Sequence, residues 1–350
     1  MLRLSSKRTQ ALYPTNILYQ SRYWAQVKKT SGLETVAYNI VFSNKWSDVL
    51  VLIQRNTNND LYACIPQGPE FSPRIDEYGP FLEEFSESLV DIFGHGIAFI
   101  RFDLPWMSPY AEEMRENGLS AFPEARLQEL RMNMGTRNWK LKKAPMDMSV
   151  ASSLIVNIDG SEQMILSRMK PKTRYNIGLA RRKGITVQRT SMERLPAFYD
   201  LYRQTAARNG FFIHEPSHFA AMFLAQAHCR KHSEIFLLLA HHGVDLLAGA
   251  IVAVSGRVAY YLYGASADMK RNLMAPYLLH WEGMLYAREQ GCTAYDMGGV
   301  SPGLDSSHPF HGLYRFKTGF GGRIELRCGS WDYPVDPGKY KANQRRTKGR

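Results

Sequence analysis

The residues best suited to chemistry lie in one dense segment, YDMGGVSPGLDSSHPFHGLYRFKTGFGG, from Tyr295 to Gly322. An apolar run ends at Asp296, and Gly298-Gly299 follow it. Paired glycines let a backbone turn sharply or approach a ligand closely. A polar loop then leads to Tyr314-Arg315-Phe316-Lys317 and Phe320-Gly321-Gly322. α/β proteins bind ligands beyond the carboxyl ends of their strands. There Lys317 would offer positive charge to a developing oxyanion or a phosphate. A glycine-rich connection carrying a solvated lysine is the alternative reading. Asp296, at a strand end, is a weak candidate for a general base, and burial as structure is its other reading.

Familiar catalytic frames are missing. The chain has no G-x-x-x-x-G-K-[ST], no G-x-G-x-x-G after a strand, no H-E-x-x-H and no G-x-S-x-G. His241 and His242 are adjacent, so a regular strand cannot turn both toward one metal, and they read as loop residues. Cys64, Cys229, Cys292 and Cys328 are widely spaced, with no C-x-x-C, which fits reduced, buried thiols in a cytosolic protein. No metal and no cofactor is expected.

The charge is concentrated. The 350 residues include 44 Lys+Arg against 32 Asp+Glu, a formal net charge of +12. Between Gln163 and Met192 stand Arg168, Lys170, Lys172, Arg174, Arg181, Arg182, Lys183 and Arg189, with no acid. The tail from Gly338 adds Lys339, Lys341, Arg345, Arg346, Lys348 and Arg350, again with no acid. Without those 14, 30 of the 44 basic residues remain against 32 acids, so the body is near neutral. Two basic patches on a neutral body point to a polyanion or to phosphate groups. A solvated helix face and a frayed tail are the bland alternative.

A composition of 45% hydrophobic, 22% charged and 12% aromatic residues is globular and excludes disorder, collagen and coiled coil. The length fits two domains. The most apolar stretch, Ile235 to Val254, is broken by His241, His242 and Asp245, whereas a membrane span needs about 20 largely apolar residues. The opening MLRLSSKRTQALYPTN lacks the apolar core of a secretory signal.

The elements that must position these residues follow from periodicity. A short helix is expected over 17–30, strands over 35–42, 48–53 and 61–66, a Gly/Pro loop, a helix over 76–93 and a buried strand, Ile97–Asp103. Another helix is expected near 109–117, and a boundary near 145–152. The second half begins with a strand at 153–158. Two helices divided near Pro171 follow across the basic window, because proline favours the first turn of a helix. Gly184 is a natural helix stop. Helices at 192–208 and 216–231 precede strands at 234–240, 246–255 and 257–263, with a tight hairpin at Ser255-Gly256. A helix over 273–290 and a strand at 293–297 close the series. Both halves run strands, glycine loop, long helix and a strand ending in Asp (Asp103, Asp296), which suggests a duplicated α/β unit. That order is also found in GNAT-type acyltransferases.

The segment from Asp296-Met-Gly-Gly to GLYRFKTGFGG resembles the C-terminal signature of the FemABX family. KPKTRYNIGLARRKGI (Lys170–Ile185) resembles that family's K-x-R-x-x-I-x-x-A-x-x-x-G-[IV] segment. QSRYWAQVK (Gln20–Lys28), Gly68-Pro69, IRFD (Ile100–Asp103) and YGAS…APYLLHWE (Tyr263–Glu282) match in the family's order. The resemblance runs from about residue 20 to 322.

It implies an α/β (α+β) fold of two tandem GNAT-like domains, 1–150 and 151–320, with 321–350 returning to the first. No heptad stretch corresponds to the coiled-coil insertion of longer members. It implies an enzyme, an aminoacyltransferase that moves an amino acid from aminoacyl-tRNA to an amine of a peptidoglycan precursor, nucleotide- or lipid-linked, building the interpeptide bridge. Phe316 and Lys317 map onto the family's catalytic pair. Trp24 and Lys28 map onto an element whose lysine contacts precursor phosphate, and Tyr261 or Tyr263 onto the family's tyrosine of the hairpin strand before the Gly-Ala loop. Gly68-Pro69 and His214 join the expected substrate-binding set. At His214-Glu215-Pro216, however, an acid stands where an H-R-P-like stretch supplies a phosphate-binding arginine. Lys170, Lys172, Arg174, Arg181, Arg182 and Lys183 are the expected tRNA-facing residues, through shape and phosphate contacts.

An activated aminoacyl ester needs no covalent nucleophile, and proximity supplies roughly 7–11 kcal/mol of such a barrier. The expected setting is a cytoplasmic monomer at or near the inner face of the membrane. The basic tail lacks an apolar face and would anchor weakly. Two other readings remain. An acyl-CoA-dependent GNAT enzyme would need a pyrophosphate turn that SADMKRNLMAP lacks, and a non-catalytic RNA-binding module would bind charged and uncharged RNA alike.

Overall fold

The computed structural model describes residues 2–229, 233–308 and 310–347. Its strands join in one order across the molecule, built from two similar units.

In the first unit β1 (Leu2–Lys7), β2 (Glu34–Phe42), β3 (Lys45–Arg55) and β4 (Leu61–Ile65) form an antiparallel meander. Helix α1 (Arg22–Thr30) lies between β1 and β2, and Ser21 caps it by accepting from the Trp24 N–H at 3.1 Å. Helix α2 (Tyr78–Phe93) crosses over to β5 (Ile97–Met107), which pairs parallel to β4. Short helices α3 (Ala111–Glu116) and α4 (Ala125–Met132) and a two-residue strand, β6 (Lys142–Lys143), complete this half.

The second unit opens with β7 (Ser152–Asn157), α5 (Glu162–Ser167) and α6 (Pro171–Arg182). Its meander is β8 (Ile185–Thr190), β9 (Ser233–His242), β10 (Asp245–Ser255) and β11 (Val258–Ser266), with α7 (Leu195–Asn209) and α8 (Pro216–Gln226) between β8 and β9. Helix α9 (Ala275–Glu289) leads to β12 (Ala294–Gly299), parallel to β11. The plan repeats: four antiparallel strands, a crossover helix, one parallel strand. Among the described residues the longest helix is α2, and no helix is long and apolar enough to cross a membrane.

After α10 (His311–Lys317), β13 (Arg323–Pro334) joins the units. Arg323–Leu326 pair with β7, and Arg327–Pro334 pair with β5. Helix α11 (Pro337–Thr347) then lies against β5, where buried Tyr340 packs on Phe99 at 5.5 Å. The two units also share a core. Leu18, Tyr23, Trp24 and Val27 of the α1 region pack with Phe219 and Met222 of α8, and the Tyr23 hydroxyl donates to the Met222 carbonyl at 2.9 Å. A separate cluster of Phe81, Phe85, Phe102 and Trp106 fills the other face of the first unit.

Most expected elements are present within a few residues of their expected ends. Seven were not expected: β1, β6, β8, β13, α4, α10 and α11. Strand β13 reads as polar because Ser330 and Asp332 lie mid-strand, yet both are fully buried and hydrogen-bonded. Helix α4 exposes Leu127 and Leu130, so it carries no apolar stripe facing the core. Three expectations are corrected. The Tyr314–Lys317 stretch is helix rather than loop, and His241-His242 end β9 rather than lying in a loop. The tail, read as frayed, is helical through Thr347, held by Tyr340. Lys348 and Arg350 lie outside the described residues, as does the expected helix end at Lys231. All four cysteines are buried free thiols.

Candidate functional site

Strands β11 and β12 pair only where Val258–Tyr260 meet Ala294–Asp296. Beyond that they splay, β11 running on to Ser266 and β12 to Gly299. The Lys317 side chain, 6% exposed, enters the gap from the last turn of α10 and donates to the Gly299 carbonyl at 2.8 Å. Among the described residues it has no carboxylate at ion-pair distance. Burial lowers its pKa to about 8, with Asp296 opposing the shift. Gly298 adopts φ +73°, a left-handed turn that suits glycine, and its N–H donates to Asp296 Oδ1 at 2.7 Å.

Aromatic rings wall this ammonium. The Tyr261 ring centroid is 5.8 Å from Lys317 Nζ. The His280 ring lies 4.5 Å from Tyr261 and 5.5 Å from Phe316, and Phe316 also packs on Tyr277 and Phe320. Burial, with Lys317 adding to it, holds His280 down to about 3, so the imidazole is neutral near pH 7. Phe316 thus stands in the aromatic wall of this gap. Burial raises the Asp296 pKa, against the Arg327 guanidinium whose Nη2 is 3.5 Å from Oδ2. With Oδ1 bound to the Gly298 N–H, Asp296 shapes the turn under Lys317.

The two candidate tyrosines of β11 separate. The register pairs Ile251 with Tyr263 and Val252 with Tyr261, leaving Leu262 as a bulged residue of β11, so Tyr261 and Tyr263 face opposite sides. Gly283 of α9 approaches Leu238, while Phe198 of α7 approaches Gly249, whose same face also meets Leu239. Adjacent strand residues point to opposite faces, so α9 and α7 flank the sheet from two sides. Tyr261 goes with α9 and Lys317. Tyr263 goes with α7 and α8, its hydroxyl 2.8 Å from His218 Nε2 and its ring 4.9 Å from Phe219.

On that second face Lys28 lies over Trp24, Nζ 4.7 Å from the ring. Burial lowers the Lys28 pKa, and its charge in turn lowers those of His214 and His218 beyond the effect of their own burial. The two imidazoles stack at 4.2 Å. Of the residues expected to bind substrate, Lys28, Trp24, Tyr263 and His214 lie on this face, and His218 joins them.

Tyr19 connects the two faces. Its ring is 4.8 Å from Trp24 and 6.2 Å from Tyr260, and both Asp296 and Asp103 add to the burial that keeps its hydroxyl protonated. Asp103 is buried, accepting from Ser149 at 2.5 Å and Ser330 at 3.0 Å, and burial raises its pKa. Gly68-Pro69, a cis peptide, borders this region rather than Lys317. The Gly68 N–H donates to the Asp103 carbonyl at 3.0 Å. A Cβ on Gly68 would stand 2.6 Å from Gln20 Nε2, so only glycine fits. Sequence reasoning missed Tyr19, Arg327, His218 and His280. Only His218, four residues after His214 on HEPSH, carried a signal in its spacing.

Lys170, Lys172, Arg174, Arg181, Arg182 and Lys183 are all exposed on or beside α6, whose other face buries Thr173, Asn176, Ile177 and Ala180. Lys172 and Arg182 flank the exposed Tyr175 ring at 4.9 and 5.9 Å. Arg181 pairs with Glu282 at 2.8 Å and Arg174 donates to the Met169 carbonyl, so both are partly committed within the fold. The helix start abuts the Lys317 segment: the Lys170 N–H donates to the Gly319 carbonyl at 2.9 Å, two residues beyond Lys317.

The FemAB family model matches residues 10–237 and 230–348 of this chain. The lipid II:glycine glycyltransferase of Staphylococcus saprophyticus subsp. saprophyticus is 25% identical over 248 residues, covering 54% of this chain and 60% of that protein. The protein of the same name from Staphylococcus aureus strain USA300 is 25% identical over 252 residues, with the same coverage. The chain thus spans about 60% of the length of the curated relatives it matches. A crystal structure of FemX superposes with a TM-score of 0.74 at 19% identity, over 97% of this chain and 99% of that one. A tandem GNAT protein from the clavulanic acid biosynthesis pathway superposes with a TM-score of 0.50 at 10% identity, over 96% of this chain and 99% of that one. The fold is two tandem GNAT-like units.

Proposed function

The chain belongs to the FemAB family, and on that premise we propose that it is an aminoacyltransferase. It moves an aminoacyl group from aminoacyl-tRNA to an amine of a peptidoglycan precursor stem peptide. The observation that carries this reading is the Lys317 ammonium, buried in the splay between β11 and β12 with no carboxylate partner among the described residues. A desolvated cation with free donor capacity suits a charge that appears only during reaction.

The acceptor amine attacks the ester carbonyl carbon. A C–N bond forms, and negative charge develops on the carbonyl oxygen. Lys317 donates to that oxygen in place of, or beside, the Gly299 carbonyl. Such a donor supplies about 3–4 kcal/mol. The C–O ester bond then breaks, the tRNA ribose oxygen leaves, and the proton lost by the amine ends on it. Neutral His280 and the rings of Tyr261 and Phe316 keep water from the ammonium. The precursor occupies the Lys28 face, between the lobes 1–150 and 151–320, with 321–350 fastening the two. The acceptor stem lies along α6, where Lys172, Tyr175 and Arg182 offer charge and a stacking surface. The reaction takes place in the cytoplasm, on a soluble precursor or at the membrane surface.

The test incubates the protein with charged tRNA and a muropeptide precursor and follows the mass of the stem peptide. Extension by one residue supports the reading. Tight acetyl-CoA binding without extension would replace it with an acyl-CoA-dependent activity.

A further inference from the structure

The solvent side of α4 is apolar where a surface helix is ordinarily polar. Leu127, Leu130 and Met134 recur at the i, i+3, i+7 spacing of one helix face and are 54%, 47% and 65% exposed. Met132 and Asn133, on the opposite side, are buried. The apolar stripe is therefore turned away from the core. At 3.6 residues per turn Arg126 and Arg131 stand on either side of it, both exposed. The chain then folds back beside the helix, where Asn133 exchanges two hydrogen bonds with the Leu141 backbone, at 2.8 and 3.1 Å. That fastening sets Trp139 and Lys140, both exposed, off the C-terminal end of the helix. Trp139 keeps φ +51°, a left-handed conformation costly for a bulky residue, and still holds its ring 52% exposed.

The charge around the stripe is mostly of one sign. Between residues 124 and 143 stand Arg126, Arg131, Arg137, Lys140, Lys142 and Lys143, against Glu124 and Glu129 alone. Glu129 is engaged by Lys142 at 3.4 Å, Arg137 pairs with Glu87 and Lys143 with Asp147. Arg126, Arg131 and Lys140 have no carboxylate at ion-pair distance among the described residues. Arg131 lies over the Tyr110 ring at 5.0 Å and Lys140 over that of Tyr333 at 5.5 Å. The Tyr110 hydroxyl donates to the Leu127 carbonyl at 3.3 Å, so the acidic α3, with Glu112, Glu113 and Glu116, borders this basic surface.

We propose that this face of α4, with Trp139 and Lys140, is a docking surface for an anionic phospholipid bilayer. Leu127, Leu130 and Met134 enter the acyl boundary, Trp139 sits at headgroup level, and Arg126, Arg131 and Lys140 meet lipid phosphates. The pattern selects this partner over two others. RNA would use the cations and the indole, but three exposed aliphatic side chains offer its bases nothing to stack on. A second copy packed on the stripe about a two-fold axis would set three unpaired cations against the same three. An anionic bilayer answers the apolar stripe and the unpaired charge together. The basic helix α11 differs, because among its described residues it exposes no large apolar side chain. The surface stands on these residues alone; only its use, holding the enzyme beside a lipid-linked acceptor, rests on the transferase reading.

The test floats the full chain with vesicles of mixed phosphatidylglycerol and phosphatidylcholine, and with vesicles of phosphatidylcholine alone. The expected result is binding to the mixed vesicles only, weakened by high salt. Leu127→Glu/Leu130→Glu should lower vesicle affinity about tenfold or more, and Arg126→Gln and Arg131→Gln about fivefold each. Lys341→Gln/Arg345→Gln, on α11, should leave it unchanged. Lipids brominated along the acyl chain should quench the native fluorescence, and Trp139→Phe should remove most of that quenching. A native chain that ignores the mixed vesicles overturns the proposal without recourse to any variant. So does binding that survives Leu127→Glu/Leu130→Glu, or quenching that survives Trp139→Phe. A dimer that the same double variant splits would give the stripe to a second copy, and tRNA affinity lost in Trp139→Phe without vesicle binding would give the face to RNA; either overturns the bilayer. The transferase reading fails separately. If vesicles are bound but no stem peptide is extended, the docking surface stands alone. If a stem peptide is extended while the native chain ignores the mixed vesicles, the docking surface falls alone.

Discussion

Lys317 donates to the Gly299 carbonyl at 2.8 Å, a neutral acceptor where a buried ammonium ordinarily meets an acid. The carboxylate that acts on its charge, Asp296, is engaged by the Gly298 N–H and by Arg327. A cation held this way is costly to the fold and available to a ligand.

That cost gives the first prediction. Lys317→Met removes a buried ammonium and keeps most of its volume. Thermal unfolding of the variant should show stability unchanged or raised, by as much as about 3 kcal/mol near pH 7. A marked fall in melting temperature would make Lys317 a structural residue.

The pH dependence has a definite sign. The folded Lys317 loses its proton near pH 8, whereas the unfolded side chain holds it to 10.5. Between these values the unfolded state binds more protons, so native stability rises with pH. Urea unfolding of native protein and Lys317→Met should therefore show the variant's advantage shrinking from about pH 8 to 10. A constant difference would contradict the depressed pKa.

The junction between the units should be fragile at one pair. Arg101 binds buried Asp332 through two hydrogen bonds, at 2.7 and 2.8 Å, and Tyr340 of α11 donates to the same carboxylate at 3.1 Å. Asp332→Ala leaves Arg101 unpaired and should cost about 3–5 kcal/mol in chemical denaturation. It should also speed hydrogen exchange in α11. Unchanged exchange there would mean that the tail is held by Tyr340 packing alone.

The basic window makes a prediction about salt. If α6 tracks tRNA phosphates, Lys172→Ala and Arg182→Ala should each lower the slope of log affinity against log salt by about 0.7–0.9. Arg181→Ala should change it less, since Arg181 already pairs with Glu282. Removing residues 338–350 should leave the slope unchanged. Equal effects from all of these would mean a diffuse field rather than an acceptor-stem track.

The order of elements was legible because strands such as IAFIRFD and helices such as YGPFLEEFSESLVDIF repeat with clean periods. The Phe316-Lys317 pair was legible as a motif, though its helix was not, because glycines and a polar loop surround seven helical residues. Strand β13 was hidden by the polar residues that make it the junction. The division of Tyr261 from Tyr263 was also hidden. Two residues apart on a strand share a face, and only the bulge at Leu262 overturns that rule. Tyr19 and Arg327 gave no sequence signal, since they matter through neighbours brought from the other unit.

The most direct test is single-turnover transfer from aminoacyl-tRNA to a saturating precursor, comparing native protein with Lys317→Met after both are shown to bind the tRNA equally. The expected result is a fall in the transfer rate of about 10²–10³, with precursor affinity unchanged. A variant that transfers at the native rate would remove Lys317 from the chemistry and with it the central claim.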